Sequence, residues 1–313
     1  MHIVVSLPAS EAQPWMALFK AALPEARVDR HEPDQPVDAS APQADYVVAA
    51  YPSKTLFAEQ RSPKAVFTVS AGVGHVLRTR NVPREVPLIR VEDAGMAPQM
   101  IRYVLTAAMR FVQRFDTYRR QQRDVQWVQH PPRAPAQITA GVMGLGVIGA
   151  AIARALAAQN FAVRGHARTP KQIEGVHCLA GDEALGAFLD GLDLLVSVLP
   201  STPATAGVLN RANMARLADG AHVVNVGRGD VLVEEDLLAL LDAGKLSGAT
   251  LDVFRKEPLP PGHPFWQRSE ITVTPHISGL TIPDETVAQV AAKIRCLERG
   301  ERVSGIVDYA RGY

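Results

Sequence analysis

Cysteine is almost absent from this chain: only Cys178 and Cys296 occur among 313 residues. Two thiols cannot build a disulfide framework or a four-cysteine zinc site, and such scarcity fits a reducing compartment. No run of about 18 consecutive apolar residues exists, so no membrane-spanning helix is expected. An excess of one charge is also missing. Lys+Arg 33 against Asp+Glu 32 leaves a formal charge of +1, which gives no electrostatic reason to expect nucleic acid or a membrane surface as partner. The opening Met1-His2-Ile3-Val4-Val5 lacks a basic segment ahead of an apolar one, so no signal peptide is read. Internal repeats and low-complexity tracts are missing, and no metal site is expected. These absences leave a soluble, cytoplasmic protein. Its 47% hydrophobic and 21% charged residues are ordinary for globular chains, and at about 150 residues per domain its length predicts roughly two domains.

Short β-branched runs alternate with helix-period segments from end to end, the pattern of an α/β protein with parallel sheets. The first block has candidate strands at Ile3–Leu7, Tyr46–Ala50, Ala65–Val69 and Leu88–Val91. A break at Glu92-Asp93-Ala94-Gly95 reads as a hinge. It precedes a long helix over 96–118, whose Met100, Val104, Ala108, Phe111, Phe115 and Tyr118 recur every three or four positions. The stretch 121–137, rich in Gln, Arg and Pro around Trp127 and Val128, reads as an extended arm. A second block has candidate strands at Ile138–Met143, Phe161–Gly165, Asp193–Leu199, His222–Val226, Ala249–Val253 and Ile271–Thr274. A final helix over about 284–300 ends at a glycine, and its place beyond the last strand suggests a return to the first block.

Gly144-Leu145-Gly146-Val147-Ile148-Gly149 fits G-x-G-x-x-G. The motif follows one strand and opens a helix carrying Ile148, Ile152, Ala155 and Leu156, the context a dinucleotide loop requires. The first glycine makes the tight turn, the second lets backbone approach a pyrophosphate and the third allows close helix packing, with the helix N-terminus facing the phosphates. The alternative is a merely structural turn. An NAD-selective site places a carboxylate about 20 residues on. Here 21 residues from Gly146 reach Ala167, followed by Arg168, Thr169 and Lys171. Arg168 and Thr169 are suited to a 2′-phosphate, so NADPH is the expected coenzyme and NADH the alternative. Read blandly, the same residues form a solvated turn.

In open parallel sheets, ligands bind beyond the carboxyl ends of the strands. Gly227-Arg228-Gly229 follows one candidate strand, Glu257 another and Pro275-His276 a third. Singly, each has an ordinary reading as a solvent-facing or packing residue. Together they match hydride transfer to a 2-oxo acid. Arg228 is suited to pair with a carboxylate and polarise the adjacent carbonyl, with its flanking glycines allowing close approach to the ligand. His276 supplies or takes a proton. Glu257 fixes the imidazole tautomer and favours its charged form.

These residues resemble the D-isomer-specific 2-hydroxyacid dehydrogenases. The resemblance covers the second block: Gly144 to Gly149, Leu199-Pro200-Ser201-Thr202-Pro203-Ala204-Thr205, Asn225-Val226-Gly227-Arg228-Gly229, Leu251-Asp252-Val253-Phe254 through Glu257-Pro258-Leu259, and Thr274-Pro275-His276-Ile277. It implies that Arg228, Glu257 and His276 are the catalytic set. It also implies that Asp252 and the Val226 carbonyl hold the nicotinamide carboxamide, and that Leu199, Pro200 and Thr205 line the coenzyme beside the glycine loop. Glu257 speaks against the formate dehydrogenases of this superfamily, which carry Gln there.

The first block is similar to the glyoxylate/hydroxypyruvate reductase A subgroup at Ala71-Gly72-Val73, Glu92-Asp93-Ala94-Gly95-Met96, Arg114-Phe115-Asp116 and the C-terminal Val307-Asp308 with Arg311-Gly312-Tyr313. That likeness implies that the backbone at Gly72, Val73 and Gly74 binds the substrate carboxylate, as an anion nest would. The implied architecture has two doubly wound parallel-sheet domains. A Rossmann nucleotide-binding domain over 96–276 is inserted in a discontinuous flavodoxin-like substrate domain over 1–95 and 277–313. A homodimer built on the nucleotide domain is also implied, with the long helix and the arm contributing. Two departures bear on the substrate side chain: Gly74 stands where the family often has Asp or Asn, and Ala50, next to Tyr51, replaces an expected aromatic. The leading expectation is reduction of glyoxylate or hydroxypyruvate. The alternatives are a dehydrogenase for a bulkier D-2-hydroxy acid and a nucleotide-sensing, corepressor-like binding protein.

Overall fold

The computed structural model describes residues 1–32, 35–38, 40–70 and 72–312. Ala71 and Tyr313, which carry part of the subgroup resemblance, lie outside the described residues. The chain forms two compact units, Met1–Gly95 with Thr281–Tyr313, and Met96–Leu280.

The first unit is a five-stranded parallel sheet of β1 (His2–Ser6), β2 (Arg27–Arg30), β3 (Tyr46–Ala49), β4 (Ala65–Thr68) and β5 (Leu88–Ile89), in the order β2-β1-β3-β4-β5. This is the flavodoxin-like order. Every residue of β3 and β4 is buried, as expected of parallel strands covered on both faces. The chain end closes this unit. Lys293, on the helix Pro283–Glu298, donates to the carbonyls of Arg90 (3.0 Å) and Ser304 (2.9 Å) and pairs with Glu92 at 3.2 Å. The Val307 N–H donates to the Leu88 carbonyl at 2.8 Å. Asp93, Ala94 and Gly95 all have positive φ (68°, 47° and 79°), which halts any regular element at the break read from the sequence.

The second unit is a seven-stranded parallel sheet: β6 (Thr139–Met143), β7 (Ala162–Ala167), β8 (Val176–Ala180), β9 (Leu194–Ser197), β10 (Ala221–Asn225), β11 (Leu246–Leu251) and β12 (Ile271–Val273). Their order, β12-β11-β10-β9-β6-β7-β8, is the Rossmann arrangement with the topological switch between β6 and β9. Period-two alternation splits the side chains between two cores. Leu195, Ala221 and Val223 enter one, and Leu194, Val196, Val224 and Val226 enter the other, where the helices Met96–Val112 and Val147–Ala158 pack.

Three features differ from the sequence reading. Strands β2 and β8 were not expected; both are sheet-edge strands, and most of their residues are only half-buried or exposed. The long helix is two helices, Met96–Val112 and Phe115–Arg123, because Arg114 takes a left-handed conformation (φ 54°) between them. Phe115 and Tyr118 therefore leave the buried stripe and are exposed. The boundary drawn after 276 falls after Leu280. Residues 277 and 278 donate backbone N–H groups to Asp252, and a Cβ on Gly279 would stand 2.8 Å from Met100, so this segment packs with the second unit.

Candidate active site

The glycine loop leaves β6 at the switch point. Gly144 has φ 103°, and its N–H donates to the His166 carbonyl at 2.9 Å. A Cβ on Gly149 would lie 1.8 Å from the Gly144 carbonyl oxygen, whereas one on Gly146 would meet nothing within 4 Å. The three glycines thus do three things: turn, open space and backbone-to-backbone packing. Gly146 caps the helix Val147–Ala158, whose first N–H groups are unpaired by geometry and favour a phosphate. Leu145 is buried, Ile148 half-buried and Val147 exposed. The open cradle at Gly146 fits a dinucleotide pyrophosphate. Arg168 and Thr169 stand directly after β7, beside the loop strand, with no carboxylate between 164 and 173.

Beyond β9, Thr202 N–H donates to the Thr205 hydroxyl at 2.9 Å, and that hydroxyl donates to the Pro200 carbonyl. Thr205 therefore shapes the Leu199-Pro200 turn from within. Beyond β10, the structure corrects the reading of Gly227 and Gly229. A Cβ on Gly227 would stand 2.6 Å from the Leu199 carbonyl oxygen, and one on Gly229 would stand 1.9 Å from the Phe254 carbonyl carbon. Both glycines serve packing of this loop against neighbouring strand ends, and Arg228 is held between two such contacts. Asn225, given no role from sequence, clamps the loop. Its amide donates to the Arg228 carbonyl at 3.0 Å and accepts from the Gly227 N–H at 3.2 Å. The Arg228 guanidinium donates to the Gly227 carbonyl at 2.6 Å.

Glu257 and His276 meet. The imidazole Nδ1 lies 2.7 Å from Glu257 Oε2, and Glu257 Oε1 accepts from the Phe254 N–H at 2.9 Å. One carboxylate oxygen is anchored on backbone while the other orients the ring, so Nδ1 carries the hydrogen and Nε2 is directed elsewhere. Among the described residues Nε2 has no partner, and the His276 side chain is 44% exposed.

A buried carboxylate holds the His276 loop from behind. Asp252 has no exposed surface. Its Oδ1 accepts from the Thr274 hydroxyl (2.6 Å) and the Ile277 N–H (2.8 Å), and its Oδ2 accepts from the Ser278 N–H at 2.8 Å. The His276 N–H donates to the Asp252 carbonyl at 3.0 Å. This bracket fixes residues 274–278 on either side of His276, which itself has φ 54°, a conformation that surroundings must impose. Tyr103 completes it. The Tyr103 and Thr274 hydroxyl oxygens are 2.6 Å apart; Thr274 spends its only hydrogen on Asp252, so Tyr103 is the donor. Burial pushes the Tyr103 pKa up to about 12, which keeps that hydrogen in place at neutral pH.

In the first unit, Val73 is buried in the core and precedes the short helix Gly74–Thr79. The Ser70 hydroxyl donates to the Gly72 carbonyl at 2.9 Å. A Cβ on Gly74 would lie 3.5 Å from the Arg78 guanidinium, a cation beside this loop that the sequence reading did not single out. His75 Nε2 lies 2.6 Å from the Ala50 carbonyl oxygen, and its ring sits 4.8 Å from that of the exposed Tyr51.

The model of the D-isomer specific 2-hydroxyacid dehydrogenase NAD binding domain matches residues 105–278. Over the full length of both chains, the sequence is 42% identical to glyoxylate/hydroxypyruvate reductase A of Serratia proteamaculans and 40% identical to that of Yersinia enterocolitica. Among solved structures, it is similar to a D-isomer specific 2-hydroxyacid dehydrogenase of Xanthobacter autotrophicus in complex with NADPH and MES (TM-score 0.93, 38% identity, 100% of this chain and 99% of that one). It is also similar to the NADPH-dependent glyoxylate/hydroxypyruvate reductase of Sinorhizobium meliloti in complex with NADP and sulfate (TM-score 0.89, 33% identity, 100% and 99%). With the matched domain spanning the glycine loop, Arg228, Glu257 and His276, the chain belongs to the D-isomer-specific 2-hydroxyacid dehydrogenase family.

Proposed function

We propose that this chain is an NADPH-dependent reductase of small 2-oxo acids, glyoxylate or hydroxypyruvate, yielding the 2-hydroxy acid. The observation that carries the mechanism is the His276–Glu257 pair beside the Arg228 loop, at the same carboxyl end of the sheet as the glycine loop. The reduced nicotinamide supplies a hydride to the carbonyl carbon when bound. Arg228 pairs with the substrate carboxylate and draws electron density toward the carbonyl oxygen. As that oxygen gathers negative charge, His276 donates the Nε2 proton to it, while Glu257 steadies the imidazolium before transfer. In the reverse direction, neutral His276 takes the alcohol proton. Gly72, Val73 and Gly74, with Arg78 alongside, offer the anion-binding backbone for the carboxylate. The Val226 carbonyl is assigned to the carboxamide; Asp252, given the same role by resemblance, is fully buried with both oxygens engaged by residues 274, 277 and 278, so it serves the site by holding the His276 loop instead.

Arg168 and Thr169 are assigned to the 2′-phosphate. Purified protein is expected to oxidise NADPH with glyoxylate or hydroxypyruvate, at higher kcat/KM than NADH. Arg168→Ala should raise KM for NADPH about tenfold, a loss in line with one charge-assisted contact, with little change for NADH. A clear NADH preference, or an unchanged KM in the variant, would remove Arg168 from this role. Oxidation with no 2-oxo acid of a panel would leave a nucleotide-binding protein instead.

The arm leaves Val125 and Trp127 fully exposed, and Phe115 and Leu105 border an apolar hollow of about 450 Å³. Such exposed apolar surface fits burial against a second copy, and we assign a homodimer to it. Light scattering tests this: a mass of one chain at micromolar concentration would refute it. Cys178 and Cys296 are both free, which suits the reducing cytoplasm where we place the enzyme.

A further inference from the structure

A single arginine ties the segment that follows Arg228 to the segment that carries Glu257. After β10 the chain runs through Arg228 and one 3₁₀ turn, Gly229–Val231, to Leu232 and the helix Glu234–Asp242. After β11 it runs through Phe254 and Arg255 to Glu257. The Gly229 backbone lies so close to Phe254 and Arg255 that no Cβ would fit between them. Arg255 then reaches across that contact. Its Nε donates to the Leu232 carbonyl at 3.3 Å, and its two terminal nitrogens grip the two oxygens of Glu235 at 3.0 and 2.6 Å. Its backbone N–H donates to Glu234 Oε1 at 3.2 Å.

Glu234 is buried at the first position of its helix, and its Oε2 lies 3.4 Å from His263 Nε2. His263 Nδ1 accepts from the Phe265 N–H, so a neutral ring carries its hydrogen on Nε2 and turns it toward Glu234. One carboxylate thereby holds both ends of the stretch 255–263, in which Glu257 lies. Glu257 is anchored a second time, since its Oε1 accepts from the Phe254 N–H while its Oε2 meets His276. Arg228 and the His276 imidazole are thus connected by contacts through Gly229, Phe254 and Glu257, with Arg255 at the junction. As a staple for stability the side-chain pair is poor. Arg255 is 37% exposed and Glu235 71%, and pairs so exposed contribute little to folding. Three directed donors on a planar guanidinium nonetheless fix an orientation, which a point charge does not.

We propose that Arg255 is a positioning residue for the reduction, and that its contacts with Leu232, Glu234 and Glu235 set the spacing between Arg228 and the Glu257–His276 pair. The inference rests on the reductase reading above and gives a task to residues which that reading leaves idle. Arg228 binds the substrate carboxylate, and His276 delivers a proton to the oxygen on the neighbouring carbon. The two groups must therefore be held to the span of a 2-oxo acid, although each stands on a different loop. Arg255 ties these loops without entering the chemistry, because Glu235 neutralises its guanidinium and leaves no second anchor for the carboxylate. Loss of the tie leaves Arg228 and His276 intact but free to drift apart. A displacement of about 1 Å costs about a hundredfold in rate, so one well short of that costs about tenfold.

The test compares the parent protein with Arg255→Met, Arg255→Lys and Glu235→Gln, using NADPH with glyoxylate or hydroxypyruvate. Arg255→Met should lower kcat about tenfold. Its Kd for NADPH should stay within about twofold of the parent and its Tm within about 2 °C, since an exposed pair holds little of the fold. With NADPH deuterated at the transferred hydrogen, the isotope effect on kcat should rise, because misaligned chemistry becomes the slow step. Arg255→Lys keeps the charge but not the fork, so it should recover only part of the loss. Glu235→Gln, at an exposed position that does not endanger folding, should lose about three- to fivefold. An Arg255→Met variant with the parent's kcat overturns the proposal. A fall in kcat that comes with a lower Tm and weaker NADPH binding overturns it too and makes Arg255 merely structural, and full recovery in Arg255→Lys overturns it in favour of charge alone. A parent that reduces no 2-oxo acid removes the reductase reading together with this inference, whereas an active parent beside an equally active Arg255→Met removes the inference alone.

Discussion

His276→Ala is expected to lower kcat by about two to four orders of magnitude, the usual worth of a positioned general acid, while Kd for NADPH stays within about twofold. The split follows from where the side chain sits. His276 meets Glu257 through Nδ1 and presents Nε2 away from its own loop, whereas the glycine loop is built from β6 and the helix after it. The two functions share a sheet end but no side chain. Glu257→Gln is the companion experiment. The amide keeps the shape but offers the imidazolium no negative charge to lean on, so kcat should fall by about tenfold while Kd for NADPH again stays unchanged. A His276→Ala variant that turned over within tenfold of the parent would place the proton donor elsewhere. A large loss of NADPH affinity would mean that the ring acts on coenzyme and not on the carbonyl oxygen.

Asp252→Asn carries the second large effect, and it acts on stability and rate together. The side-chain amide is nearly isosteric, but its nitrogen is a donor, and all three partners of Asp252 are donors as well. Whichever way the amide turns, at least one buried N–H or O–H faces another donor. Each orphaned buried group costs about 1–3 kcal/mol, so a loss of roughly 2–4 kcal/mol in chemical denaturation is expected. Loosening residues 274–278 also frees His276 from its left-handed conformation. A shift of about 1 Å at a reacting group costs about a hundredfold in rate, and kcat should fall by that order. Tyr103→Phe, which removes only the outermost hydroxyl, should show the same effects in weaker form. Unchanged stability and kcat in Asp252→Asn would mean that the bracket does not hold the ring.

The second of these effects has no trace in the sequence. Arg228, Glu257 and His276 are legible because each lies in the loop that follows an apolar run, and a parallel sheet delivers the ends of its strands to one rim. The runs themselves are plain wherever both faces of a strand are covered, as at Leu194–Ser197 and Ala221–Asn225. The edge strands β2 and β8 lack that mark. Arg27-Val28-Asp29-Arg30 buries one residue of four, so it reads as polar chain. The helix break at Arg114 is hidden for the opposite reason: Phe115 and Tyr118 prolong the apolar spacing of Met96–Val112 although they face outward. Tyr103 is harder still. Its hydroxyl meets Thr274 across 171 positions, and nothing in either residue's neighbourhood announces the contact. Gly227 and Gly229 show a subtler limit, since the residue type is informative but the reason is not: they serve backbone packing, where their pattern suggests ligand approach.

The glycine loop is subject to two separate selections. Gly144 and Gly149 answer to the chain itself, one through its positive φ and the other through a carbonyl oxygen that leaves no room for a methyl group. Gly146 faces open space and answers only to what is bound there. A descendant of this protein that gave up its coenzyme would therefore be free to lose the middle glycine while still inheriting the outer two. Position 146, read across a lineage, is a historical record of when nucleotide use ceased.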